Sequence, residues 1–169
     1  LETIEPVFVY RNDGDDVFTN VTPLDHPHFY GKFHGMAFAD VDRDGDPDLY
    51  LNNGGVLLSD RFRDLLLENT TEGRHWLHIK LVGTKSNRSA VGARVTVQVA
   101  GRSLHQERVA GQGFSSTYSS YLIFGLNEDK VVEGVTIRWR SGLEQKLPSL
   151  AADQAIVVTE GSSDLQRVY

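Results

Sequence analysis

Cysteine is absent from the 169 residues, which removes disulfides and thiolate chemistry from consideration. No apolar run approaches the ~18 residues that a membrane span needs, so membrane insertion is not expected. Basic residues are outnumbered, 17 Lys and Arg against 23 Asp and Glu, for a formal net charge of −6. A protein that grips nucleic acid needs a basic face, so nucleic acid is not an expected partner. Helical periodicity is scarce; only "SDRFRDLLLEN" (59–69) is spaced for a single helical turn. The chain starts at Leu1 with no initiator Met and no leader-like stretch, which predicts a processed product or a piece of a longer protein.

What is present is strand after strand. Phe8 to Tyr10 runs into the turn "RNDGDD" (11–16), and 33–39 and 49–51 flank an acidic stretch. From residue 75 the alternation is regular: "WLHIKLV" (76–82) puts Leu77, Ile79 and Leu81 on one face, and "ARVTVQVA" (93–100) does the same with Val95, Val97 and Val99. "YLIFGL" (121–126), "GVTIRWR" (134–140) and "AIVVTE" (155–160) continue the series, and "VAGRS" (99–103) has the composition of a hairpin turn. Closely spaced strands with glycine-rich turns predict an antiparallel sandwich. The stretch "NTTEGRH" (69–75) divides the chain into 1–72 and 73–169; four of the five prolines lie before residue 50, on the first side of that division. "VYRNDG" (9–14) resembles "LLENTTEG" (66–73) with Asn12 and Asn69 57 residues apart, a spacing that suits propeller blades. A propeller closes with about four blades or more, so 1–72 reads as a partial propeller whose other blades lie upstream or in a partner protein. Three N-x-[ST] sequons, at Asn20, Asn69 and Asn87, suit a secreted glycoprotein.

The densest chemistry is "DVDRDGDPD" (40–48), five carboxylates in nine residues with Arg43 alone to offset them. Alternating oxygen donors around a glycine suit a hard cation, and calcium takes six to eight oxygens. Asp40, Asp42 and Asp44 occupy the first, third and fifth positions, and Gly45 permits a sharp turn. The Asp46 carbonyl is placed to supply the ligand at the seventh position, with its side chain left free, and Asp48 at the ninth closes the shell. An EF-hand is the competing reading. It requires Glu at the twelfth position, where this chain has Leu51, and helical flanks, where this chain reads as strand.

Other chemistries fare less well. "GFSSTYSS" (113–120) is rich in hydroxyls but holds no G-x-S-x-G elbow, and no pattern ties His105 to Ser115 or Ser116. His75 and His78, three apart on a strand, face opposite sides and are not expected to chelate together. His26, His28 and His34 offer a weaker transition-metal alternative in a loop containing Pro27. Trp139 falls in step with Val135 and Ile137 and is expected in the core, with Arg138 and Arg140 facing out. Tyr118, in a serine-rich loop, is the aromatic best placed for an exposed contact.

The segment "FADVDRDGDPDLYLNNGG" (38–55) resembles an FG-GAP/VCBS repeat, the calcium-loop unit also found in integrin α-subunit propellers. "YRNDGDDVFTNVT" (10–22) is similar to the strand–turn–strand that ends such a repeat. "HWLHIKLVGTKSNRSAVGARVTVQVAGR" (75–102), "GFSSTYSSYLIFGL" (113–126) and "VVEGVTIRWRSGLEQKL" (131–147) resemble, in order, the start, middle and end of an ASPIC/UnbV domain. The resemblance implies an extracellular, propeller-type repeat followed by a β-sandwich, with calcium ligands at Asp40, Asp42, Asp44, Asp46 and Asp48. It supplies no catalytic residue. The function expected is a non-enzymatic, calcium-stabilised extracellular module for protein interaction, adhesion or assembly. The alternative is a carbohydrate-binding module, with a glycan as the partner.

Overall fold

The computed structural model describes residues 4–22, 30–54 and 62–169, and every regular element among them is β. Strand β1 (Glu5–Pro6) pairs with β4 (Tyr30–Gly31), and β2 (Tyr10–Gly14) forms a hairpin with β3 (Val17–Asn20). Gly14, Asp15 and Asp16 all have positive φ there, a turn that glycine and aspartate tolerate. Next comes a three-stranded antiparallel meander, β5 (Phe33–Ala39), β6 (Asp48–Asn53) and β7 (Leu65–Leu67). Strand β7 lies where one helical turn was expected. Leu65 and Leu67 stand opposite Leu51 and Leu49 of β6, so cross-strand pairing overrides the local preference of a leucine run.

This first part has almost no core: Leu51 is its one buried hydrophobic residue among those described. Of the sixteen large hydrophobic side chains left exposed, twelve belong to residues 4–66, including Tyr10, Phe18, Tyr50 and Leu66. No closed barrel or ring is formed among the described residues.

The rest is a two-sheet sandwich. One sheet has the order β10–β9–β13–β14, from β9 (Arg94–Val99), β10 (Arg102–Glu107), β13 (Gly134–Arg138) and β14 (Glu144–Leu147). The other has the order β11–β8–β16–β17, from β8 (His75–Val82), β11 (Tyr121–Asn127), β16 (Gln154–Thr159) and β17 (Leu165–Arg167). A two-strand pair, β12 (Val131–Val132) with β15 (Leu150–Ala151), flanks them. Leu77, Ile79 and Leu81 meet Val95, Val97 and Val99 in the core, joined by Phe124, Ile137 and Ile156. Trp139 packs there too, its indole N–H donating to Gln145 Oε1 (3.1 Å). The β9–β10 hairpin turns on Ala100 and Gly101, both at positive φ, as a two-residue loop between right-twisted strands requires. Every pairing is antiparallel except β16 on β8, which run parallel.

Candidate metal centre

The acidic loop joins β5 to β6, whose last paired residues are Ala39 and Asp48. Positive φ at Arg43 (68°) and Gly45 (105°) turns the chain. The carboxylates then fold the loop on itself. Asp44 N–H donates to Asp42 Oδ1 (3.2 Å) and Asp46 N–H to Asp44 Oδ1 (3.1 Å). Asp48, 3% exposed, accepts from Val41 N–H (2.8 Å) and, through its other oxygen, from Asn69 N–H (2.9 Å). Asp48 therefore ties the loop to the strand end after β7.

Three of the five expected ligands converge: Asp40, Asp42 and Asp48 each present an oxygen within 4.8 Å of the other two. Asp44 is exposed and stands outside this triad. Asp46 differs from expectation in its side chain. Both its oxygens are buried with no hydrogen-bond partner, and the same holds for both oxygens of Asp40. Burying an anionic carboxylate without a partner costs several kcal/mol, so the Asp40 and Asp46 carboxyls each call for a proton or a counter-charge. Burial pushes the Asp40 carboxyl up, against the pull of the Arg43 and Gly45 backbone amides. Burial, followed by repulsion from Asp44, Asp48, Asp42 and Asp40, pushes Asp46 up to about 6. Arg43 does not supply the counter-charge, because its guanidinium lies over the Tyr169 ring (5.6 Å). An all-oxygen set of this kind fits a hard divalent cation and suits neither zinc nor copper.

The loop is seated on the sandwich. Trp76 and His78 project from the outer face of β8, opposite Leu77 and Ile79. The Gly45 carbonyl accepts from His78 Nε2 (3.1 Å), and the Trp76 ring fills the space where a Gly45 side chain would begin. His78 is 1% exposed. With Nε2–H donating, Nδ1 is left as acceptor, 3.5 Å from the Tyr169 hydroxyl and 3.6 Å from Asp40 Oδ2. Burial lowers the His78 pKa, opposed by the hydrogen bond to the Gly45 carbonyl. Trp76 packs on His78 (4.3 Å between ring centroids) and faces Tyr169 (6.0 Å). A second seam runs along β5, where Ser119 N–H donates to the Phe38 carbonyl (3.0 Å) and Tyr118 packs edge-on against Phe38 (5.2 Å).

Other expected residues fall elsewhere. His26 and His28 lie outside the described residues. His75 Nδ1 meets Asp153 Oδ2 (2.8 Å), away from His78's partners. Ser116 Oγ donates to the Gln112 carbonyl, while His105 Nδ1 lies at Thr96 Oγ1, so the hydroxyl-rich loop and His105 have different partners. Of the sequons, Asn20 and Asn87 are exposed and Asn69 is half-buried.

Family comparison matches residues 4–51 to an FG-GAP-like repeat and residues 83–165 to the ASPIC and UnbV domain. This chain is an FG-GAP-like repeat followed by an ASPIC and UnbV domain. FG-GAP repeats are propeller-type units typical of extracellular or cell-surface proteins, and they commonly bind calcium. No curated protein matches the chain. Trp76 and His78 precede the ASPIC and UnbV match and Tyr169 follows it, so the side chains that seat the acidic loop lie outside both family patterns.

Within the ASPIC and UnbV domain a second buried carboxylate has the opposite character. Glu160, 4% exposed, accepts from the backbone N–H groups of Thr84, Lys85 and Ser86 (2.7–2.8 Å) and from the hydroxyls of Ser86 and Ser141. Burial alone would raise its pKa, but the donors, Ser141 first, outweigh it and hold the group at about 2. A folded pKa below the unfolded value of 4.5 favours the fold above pH 4.5, and that contribution is lost as pH falls towards 2. The melting temperature of the native chain should exceed that of Glu160→Gln at pH 7. The gap should shrink between pH 4.5 and 2, and a constant gap would assign Glu160 a packing role alone.

Proposed function

We propose that this chain is a calcium-stabilised, non-enzymatic extracellular module for protein interaction, adhesion or assembly, in which the ion secures the seam between repeat and sandwich. The observation that carries this reading is the set of four buried carboxylate oxygens on Asp40 and Asp46 without a hydrogen-bond partner, beside Asp42 and Asp48. Asp40, Asp42 and Asp48 would hold the ion. The inward Asp46 carboxylate would add charge, and Asp44 would shape the loop through the Asp46 amide. Calcium supplies the positive charge that the loop's own Arg43 does not. Because Asp40 and Gly45 both face His78, fixing the loop also fixes its place on β8. The uncovered apolar side chains of the repeat suit further propeller blades or a protein partner.

Calorimetric titration of metal-freed protein tests the reading. Calcium should bind one site with a dissociation constant of about 10⁻⁴–10⁻³ M, the range of extracellular modules, and tenfold excess would add about 1.4 kcal/mol of stability. Hydrogen exchange in chelator should lose protection over 33–52 and along 113–121, while β9 and β13 keep theirs. Absence of calcium heat would overturn the metal reading. Equal protection with and without chelator would overturn the seam.

A further inference from the structure

The outer face of the β10–β9–β13–β14 sheet carries a charge arrangement that the calcium reading does not use. Its register sets four side chains in a row across four strands: Glu107, Arg94, Arg138 and Glu144. The next row is His105, Thr96, Thr136 and Lys146. These eight, with Gln98, line an open groove of about 620 Å³, within the range of small-ligand sites.

Arg94 and Arg138 stand directly opposite each other, where Cβ atoms are ~5 Å apart and like charges destabilise a sheet. Each is turned by a glutamate that takes its Nε–H: Glu107 for Arg94 (2.8 Å) and Glu144 for Arg138 (3.2 Å). Lys146 Nζ lies 3.4 Å from the other oxygen of Glu144. The Nη groups of both arginines have no partner among the described residues, and the side chains are 74% and 75% exposed. Two pre-oriented guanidinium forks side by side match a planar or tetrahedral oxyanion.

We propose that this face binds an oligosaccharide bearing a carboxylate or sulfate group, the anion held by Arg94 and Arg138. Three observations select a sugar with isolated charges. The groove holds three cations against two carboxylates, a slight excess unsuited to the dense charge of nucleic acid. The neighbouring row offers the Thr136 hydroxyl and the Lys146 ammonium beside the Thr96–His105 pair (3.0 Å) as hydrogen-bonding groups. Gln106 and Glu107 also line an adjoining pocket of about 360 Å³ with Phe38, Tyr118 and Tyr121, where a flanking sugar ring finds aromatic surface. The arginine groove shares no residue with the acidic loop, while the aromatic pocket borders the Phe38–Tyr118 seam.

The test is titration of the full chain, in calcium at about tenfold excess over its dissociation constant, with short cello-oligosaccharides that are carboxylated, sulfated or unmodified. At least one anionic form should bind, and the unmodified form should bind at least tenfold more weakly; the better of the two anions identifies the ligand's charge. Arg94→Gln with Arg138→Gln should weaken binding about ten- to a hundredfold with an unchanged melting temperature. Thr136→Val serves as a second variant on the platform and should weaken binding by a smaller factor. Equal binding of the unmodified sugar, binding of neither anionic sugar, or full affinity in the double arginine variant would overturn the proposal. So would tighter binding of a polyglutamate peptide than of any sugar.

Discussion

Gly45→Ala is expected to unseat the acidic loop. A Cβ on Gly45 would lie 1.8 Å from Trp76 Nε1 and 2.0 Å from Cδ1, well inside van der Waals contact. The ring cannot swing aside freely, since it packs on His78 and faces Tyr169. The backbone adds to the cost, because φ of 105° is reserved for glycine. Overpacking costs about 1–3 kcal/mol and such backbone strain a similar amount, so the seam should lose roughly 2–5 kcal/mol. Calcium affinity should fall tenfold or more, because the loop that gathers Asp40, Asp42 and Asp48 is the one displaced. Gly101→Ala is the control: its φ is 71°, but no atom lies within 4 Å of the added Cβ. That variant should lose about 1 kcal/mol of stability and no calcium affinity. Calorimetric titration and hydrogen exchange on both variants decide the matter; equal calcium affinity in the two would remove Gly45 from the seam.

Asp46→Asn should stabilise the chain in chelator and remove most of what calcium adds. In chelator the native chain keeps two buried carboxylates unpartnered beside Asp42, Asp44 and Asp48. Neutralising one relieves both desolvation and repulsion, so the variant should be more stable than the native chain by about 1–3 kcal/mol. In saturating calcium the variant lacks a charge the ion needs. Calcium affinity should drop about ten- to a hundredfold, so calcium at tenfold excess over the native dissociation constant, worth about 1.4 kcal/mol to the native chain, should add little to the variant. Asp40→Asn should behave alike. Asp44→Asn, at an exposed position, should give a smaller gain in chelator, because it relieves repulsion on Asp46 but no desolvation. Paired thermal melts in chelator and in millimolar calcium check this. An equal calcium-induced rise in melting temperature in the native chain and the variant would remove Asp46 from the cation site.

Much of this was legible in the sequence because it is local. Period-two alternation placed β8, β9, β11, β13 and β16 to within a residue or two, since one buried face imposes that pattern. The strands that escaped notice, such as Arg102–Glu107 and Leu165–Arg167, are short edge strands with few apolar side chains, stabilised by pairing and not by composition. The acidic spacing marked out the loop in which Asp40, Asp42 and Asp48 converge, because loop geometry depends on sequence separation. It did not reveal which carboxylates turn inward. That choice depends on Trp76, His78 and Tyr169, which lie far from Gly45 along the chain. Histidine spacing correctly separated His75 from His78, yet nothing local marks His78 as the buried contact for a carbonyl 33 residues away.

The parallel pairing of β16 with β8 has a consequence for how the molecule comes into being. Its partners span residues 77 to 159, nearly half the chain, so the sheet that carries Trp76 and His78 is unfinished until β16 has been made. Tyr169 arrives later still. During synthesis the acidic loop therefore leaves the ribosome well before its seat exists, with its carboxylates and the apolar side chains of the repeat uncovered. Long-range closures of this kind slow folding and prolong exposure of aggregation-prone surface. The seam cannot close until β16 and Tyr169 have been made, and until then the carboxylates of the loop have no surface to rest on.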